Sequence, residues 1–267
     1  MVILHMLRSA TDTICCSYMA RGGQSVIGID GGFASESDNL YRTVQSFGGR
    51  IDTWFFTHAH DDHVFGFCKM LEDHPDVQVK RVCRNFPGVD RTLAYETGSE
   101  MQLTARLDGL CAARRIELVT PHRGDRFEFD GFAVQVINDM TDAFHDNFLN
   151  DTSVVYRLEA NGKRVLFLGD LGWDAGDDLL KKIPHEDLKA DYVQMAHHGQ
   201  NGVRKAFYEA VDPDYCLWST PSWLWDNMGP GGYDTGIYKT VIVRGWMSEL
   251  GIRRHYVDRD APLDIEL

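Results

Sequence analysis

The sequence predicts an α/β fold in which two mixed β-sheets stack and helices cover both outer faces, an αββα sandwich. Short apolar runs of strand character alternate with helical periods in both halves of the chain. Turns of the Gly-Gly, Asp-Gly and Asn-Gly kind place antiparallel hairpins toward the outer edges. No internal repeat, low-complexity tract or Pro/Ser-rich linker divides the 267 residues, so one domain over 1–267 is expected.

The elements follow in order. Apolar runs at 14–18 and 25–29 flank Arg21-Gly22-Gly23, where paired glycines supply the positive φ of a tight hairpin. Leu40, Val44 and Phe47 recur at helical spacing before Gly48-Gly49, a helix with a glycine stop. The run at 51–57 reads as a buried strand, and Val64, Phe67, Cys68 and Leu71 as the helix after it. A strand near 77–83 and a helical stretch over 90–114 come next, then β-rich segments at 116–120, 126–129 and 132–137, the last two joined by Asp130-Gly131. The final third reads as strands at 153–158 and 164–168 around Asn161-Gly162, and a strand at 191–196. A helix from Val203, a strand at 214–218, a helix from about 236 to 250 and a strand at 255–257 complete it.

Composition narrows the function. The chain carries 27 Lys+Arg against 40 Asp+Glu, a net charge of −13, which disfavours a nucleic-acid partner because binding to long nucleic acids needs clustered cations. The six cysteines, Cys15, Cys16, Cys68, Cys83, Cys111 and Cys216, form no Cys-x-x-Cys pair and fit thiols in a reducing compartment. No apolar run reaches membrane-spanning length, and the first residues lack the pattern of a secretion signal. A cytoplasmic protein with a small-molecule substrate and no membrane partner is the expectation.

The chemistry concentrates in Thr57-His58-Ala59-His60-Asp61-Asp62-His63, three imidazoles and two carboxylates within seven residues at a strand end. In a tight turn His58 and His60 can point one way and Asp62 and His63 another, so two metal ions can be held a few ångströms apart. This His-x-His-x-Asp-His loop resembles the signature of the metallo-β-lactamase fold superfamily, and the resemblance extends over most of the chain. It implies that Asp30, before Gly31-Gly32, supports the loop by hydrogen bonds behind the ligands. It further implies that Asp170, at the tip of the apolar run 165–169, bridges two cations. His197-His198-Gly199 follows another strand. His197 is favoured as the ligand for its adjacency to that strand, with His198 as ligand or proton donor.

One departure stands out. The further histidine that most hydrolases of the superfamily carry between the loop and the bridging Asp is missing, and Asn150-Asp151-Thr152-Ser153-Val154-Val155 stands in its place. That segment resembles the branch with DNA-uptake competence-protein hydrolase domains and cell-wall phosphorylcholine esterases. Asn150 or Asp151 fills the gap or bonds the substrate, with an Asx turn as the structural alternative and His145 as another candidate. His5, His74, His122, His185 and His255 show no ligand spacing. Aromatics in the turn-rich stretch 218–233, notably Trp223 and Trp225, are candidate substrate-pocket residues.

The resemblance implies a metal-dependent hydrolase with two Zn²⁺, or Mn²⁺ or Fe, and a di-metal-bound hydroxide as nucleophile. Phosphodiester cleavage gains most from such a centre, because charge builds on oxygens beside the cations. Asp62, His63, His197 and Asp170 would hold one ion and His58, His60 and Asp170 the other, with Asp62, Asp170 and His198 in catalysis. Hydrolysis of a β-lactam, lactone or thioester is the alternative, and an iron-dependent oxidoreductase a further one.

Overall fold

The computed structural model describes residues 1–95, 100–141, 147–260 and 263–267. Two seven-stranded mixed sheets form the centre. The first contains β1 (Val2–Met6), β2 (Tyr18–Gly22), β3 (Ser25–Ile29), β4 (Arg50–Phe55), β5 (Gln78–Cys83), β6 (Glu117–Val119) and β14 (Leu263–Glu266), in the order β14-β1-β2-β3-β4-β5-β6. The second contains β7 (Arg126–Phe129), β8 (Phe132–Asn138), β9 (Val155–Ala160), β10 (Lys163–Phe167), β11 (Tyr192–Gln194), β12 (Tyr215–Trp218) and β13 (Arg254–Val257), in the order β13-β12-β11-β10-β9-β8-β7. In each sheet the pairing changes once from antiparallel to parallel, at β3/β4 and at β10/β11. Such switch points open a crevice beyond the strand ends where ligands settle.

The period-two alternation of strands builds the layers. On β10 and just beyond it, Val165 and Phe167 point into the core between the sheets, and Leu166 and Leu168 point to the outer helices. On the first sheet Phe55 faces inward while Trp54 and Phe56 face α1 (Ser37–Ser46), α2 (Asp61–Asp73) and α4 (Glu100–Arg114). Helices α6 (Trp173–Lys182), α8 (Lys205–Val211) and α10 (Thr240–Glu249) cover the second sheet through Leu179, Phe207, Val211, Val243 and Met247. The short helices α3 (Val89–Tyr95), α5 (Phe148–Asp151), α7 (His185–Leu188) and α9 (Ser222–Trp225) complete the set.

The expected αββα sandwich is the fold, with differences at the margins. The first hairpin strand begins only at Tyr18, and its turn is Gly23-Gln24, because Gly22 pairs with Ser25. The stretch expected as one helix over 90–114 contains α3 and α4, and residues 96–99 lie outside the described residues. The helix expected from about 236 begins at Thr240. Strands β1 and β14, paired with each other, and helix α6 add to the elements that the sequence predicts.

Candidate metal centre

Both switch points deliver side chains to one crevice. After β4 the chain turns through 56–60 and enters α2 at Asp61, so His58 and His60 lie in the turn and Asp62 and His63 in the first helical turn. Helix α2 sits tightly against the loop after β3. The Gly31 N–H donates to the His63 carbonyl at 2.6 Å, and any Cβ on Gly66 would collide with the Gly31 carbonyl. Asp170 follows β10, and His197 and His198 follow β11.

Two groups of donors result, each with ligand atoms within 4.8 Å of one another. Asp62, His63, Asp170 and His198 form one, and His58, His60 and Asp170 the other. Asp170 belongs to both. Nε2 of His58 and Nδ1 of His60 face each other at 3.0 Å. His63 Nε2 lies 3.2 Å from Asp170 Oδ1, and His198 Nε2 lies 3.0 Å from Asp62 Oδ2 and 3.2 Å from Asp170 Oδ2. Yet His63 Nε2, His198 Nε2 and Asp170 Oδ1 are buried without a well-aligned hydrogen-bond partner. Their lone pairs converge on space between them, and orphaned polar atoms buried in this way call for a ligand. The donor set of neutral imidazoles and carboxylates fits a pair of divalent cations.

The groups behind the donors fix their orientation. Asp30 Oδ2 accepts from His63 Nδ1 at 2.8 Å and from the Thr57 hydroxyl at 2.8 Å, while Oδ1 accepts the Thr57 N–H at 2.9 Å. The remaining ring nitrogen of His63 is thereby aimed at Asp170. Nδ1 of His198 contacts the Ser219 carbonyl at 3.1 Å, and the Asp170 N–H donates to the Ser153 hydroxyl at 3.2 Å. Thr57 and Ser219 carried no assigned role in the sequence. Thr57 stands immediately before the motif, whereas nothing local to Ser219 marks it. Cys16 also groups with Asp30 and His63, and burial pushes its thiol pKa up to about 12.

The electrostatics describe a crevice short of positive charge. Burial works against a charged His63, but Asp170, Asp62 and Asp30 outweigh it and hold its pKa well above the ordinary imidazole value. His198 is likewise raised to about 9 by Asp170 and Asp62 against its burial. Asp170 is held well below the carboxylate range by His198, His63 and His197 despite burial. His58, flanked by His63 and His60, is lowered chiefly by burial.

Two sequence expectations shift in the structure. His198, not His197, lies in the four-donor group. His197 keeps its Nε2 3.9 Å from Asp170 Oδ2, with its side chain 26% exposed. Both residues adopt left-handed backbone, φ 51° and 55°, and the following Gly199 packs so closely on Trp218 that a Cβ would strike the indole. Trp223 and Trp225 make their contacts outside the donor groups: the Trp223 Nε1–H donates to the Asp12 carbonyl at 3.0 Å, and Trp225 packs edge-on to Trp218 and beneath Arg244.

The segment replacing the missing histidine is buried beside the motif loop, with the Val154 N–H donating to the Thr57 carbonyl at 2.8 Å. Asn150 donates to Asn147 Oδ1 at 2.8 Å, and its own Oδ1 has no partner. Asp151 faces Gly172 and is in neither donor group. His145 lies outside the described residues.

A family model described as the metallo-beta-lactamase superfamily matches residues 10–203. No curated protein is similar enough to match the chain. Among solved structures, the metallo-beta-lactamase fold protein YhfI from Bacillus subtilis is 9% identical with a TM-score of 0.54, covering 96% of this chain and 95% of its own. Unliganded yeast PDE1 is 10% identical with a TM-score of 0.54 and 96% of both chains covered. CmlA, a diiron beta-hydroxylase from Streptomyces venezuelae, is 14% identical with a TM-score of 0.58 over 96% of this chain. This chain spans only 52% of CmlA's length. At these identities the likeness is one of fold.

Proposed function

Because the chain belongs to the metallo-β-lactamase superfamily, we propose that residues 1–267 form a single metal-dependent hydrolase domain that cleaves phosphodiesters. The observation that carries this reading is the membership of Asp170 in both donor groups, the arrangement that two cations sharing one carboxylate would need. Asp62, His63, His198 and Asp170 would hold one ion and His58, His60 and Asp170 the other. The imidazole-rich set suits Zn²⁺, with Mn²⁺ and Fe sharing its ligand preferences. When bound, such a pair acidifies a water and draws charge from the phosphoryl oxygens.

The chain's own residues do the rest. Asp30 and the Ser219 carbonyl lock the ring orientations of His63 and His198, so both Nε2 atoms stay aimed inward. The proton-donor role expected of His198 passes to His197, whose partly exposed ring sits beside Asp170 without joining the donor group. The second donor group, one residue poorer than the first, leaves more room for substrate oxygen. A small molecule in the cytoplasm is the substrate in this reading.

The test is hydrolysis of bis(p-nitrophenyl) phosphate by Zn²⁺- or Mn²⁺-reconstituted protein, beside a β-lactam, a lactone, a thioester and a phosphomonoester. The Asp170→Ala variant serves as background. Asp170-dependent preference for the diester is expected. Inactivity on the diester with clear cleavage of the lactam, lactone or thioester would replace it with an acyl-transfer function.

A further inference from the structure

Both second-sheet loops of the metal centre run directly into one cavity. Asp170 leads through Leu171 and Gly172 to Trp173, the first residue of α6, and His198 leads through Gly199 to Gln200 and Asn201. Trp173, Gln200 and Asn201 line a cavity of about 400 Å³, closed on the far side by Ile242, Val243 and Trp246 of α10. A residue spans at most about 3.6 Å, so Gln200 lies within roughly 7 Å of His198 and Trp173 within roughly 11 Å of Asp170 along the backbone.

The lining has two characters. Trp173 is 41% exposed and Ile242 47%, apolar surface open to solvent beside a polar crevice. Lys239 supplies positive charge at its edge in a chain whose net charge is −13, whereas Arg204 pairs with Asp177 at 3.1 Å and Lys205 with Glu249 at 2.6 Å. The Arg204 guanidinium lies 4.3 Å above the Trp173 ring, and Lys239 pairs with no carboxylate among the described residues. An apolar hollow with a cationic rim recognises an anion that carries a bulky apolar group.

Building on the phosphodiesterase reading, we propose that this cavity is the subsite for the retained ester arm, selecting phosphodiesters in which the arm that stays on phosphorus is aromatic or similarly bulky and apolar. The scissile phosphate would lie at the donor groups while that arm enters between Trp173 and Ile242, and Lys239 draws the anion in.

Two measurements test it. The first compares kcat/KM for phenyl p-nitrophenyl phosphate and methyl p-nitrophenyl phosphate in the wild type and in Trp173→Ala and Ile242→Glu, both at half-exposed positions. The wild type should favour the phenyl ester at least tenfold, and each variant should reduce that ratio about tenfold. The second reads binding without turnover, by calorimetric titration of the purified protein with phenylphosphonate and with methylphosphonate. Tighter binding of the phenyl compound, lost in Ile242→Glu, is expected. Diester cleavage with no phenyl preference in either measurement overturns the subsite and leaves the phosphodiesterase reading standing. A phenyl preference in binding with no cleavage of either diester overturns the phosphodiesterase reading and keeps the pocket. A preference that survives both substitutions places the selective surface elsewhere and overturns the subsite.

Discussion

The two sheets repeat one arrangement, an antiparallel half and a parallel half meeting at a switch point, yet they furnish the centre in different ways. The first sheet supplies four donors, His58, His60, Asp62 and His63, from a single turn and the helix that follows it. Among the described residues, the second supplies Asp170 and His198, from two strand ends that lie 28 residues apart in sequence and become neighbours because β10 and β11 pair in parallel. A local motif can be assembled by short-range geometry, whereas the bridging position needs the whole second sheet in register. The shared carboxylate is therefore the point where the two halves of the molecule depend on each other.

The sharpest way to break this comparison is Asp170→Ala. It removes one donor from each group, and a loss of about 10³-fold in kcat is expected with the far-UV circular dichroism retained. Metal analysis should show fewer than two ions per chain. Substantial turnover in this variant would mean that the second sheet merely supports the first. Next in size is the histidine pair. His198→Ala should lower the metal content toward one ion. His197→Ala should keep both ions and reduce kcat by about 10²-fold, the scale of lost acid–base catalysis. Identical metal contents in the two variants would reverse the assignment of donor and proton carrier.

On the first sheet, Asp30→Asn keeps the size of the side chain and weakens its hold on His63 Nδ1 and Thr57. Metal affinity should fall about 10- to 100-fold, measured by competition with a chromophoric chelator, and an unaltered affinity would show that the turn holds its shape without this support.

A separate effect, on stability and not on turnover, comes from Asp258, just after β13, which accepts the Ser9 N–H at 2.9 Å and whose pKa burial, assisted by Glu36, raises to about 7. Its ordinary value is 3.8, so between about pH 4 and 7 the folded chain holds a proton that the unfolded chain has released. Stability from this group is greatest below pH 4, falls as pH rises through 7 and is level above. Asp258→Asn, which keeps an acceptor for Ser9, should abolish that slope and stabilise the protein at pH 8 by on the order of 3 kcal/mol in urea unfolding. Parallel wild-type and variant curves at pH 5 and pH 8 would refute the assignment.

The same contrast explains what could be read in the sequence. The first-sheet donors were legible because strand, turn and helix start are consecutive and every side chain position follows from local periodicity. Asp170 was legible as a carboxylate at the end of an apolar run that would be costly to leave alone. The choice between His197 and His198 was not, since it depends on two successive left-handed residues, a rare arrangement for any residue other than glycine even though histidine visits that region more often than most. For Trp223 and Trp225 sequence alone cannot separate a pocket from packing, and the contacts found are packing ones, to the Asp12 carbonyl and to Trp218. Strand β14 was not legible because it has a partner only in β1, across almost the full length of the chain.

The backbone at His197 and His198 also limits the histories open to this molecule. Holding a side chain in the left-handed region costs roughly 1–2 kcal/mol per residue, and glycine would relieve it. Selection for folding alone would therefore wear this pair away, exchanging one imidazole and then the other for glycine or asparagine. Selection for turnover would hold His198 and let His197 drift only as far as another proton carrier allows. A library propagated under each regime in turn would leave opposite marks on these two codons, and the loop would tell which demand had shaped it.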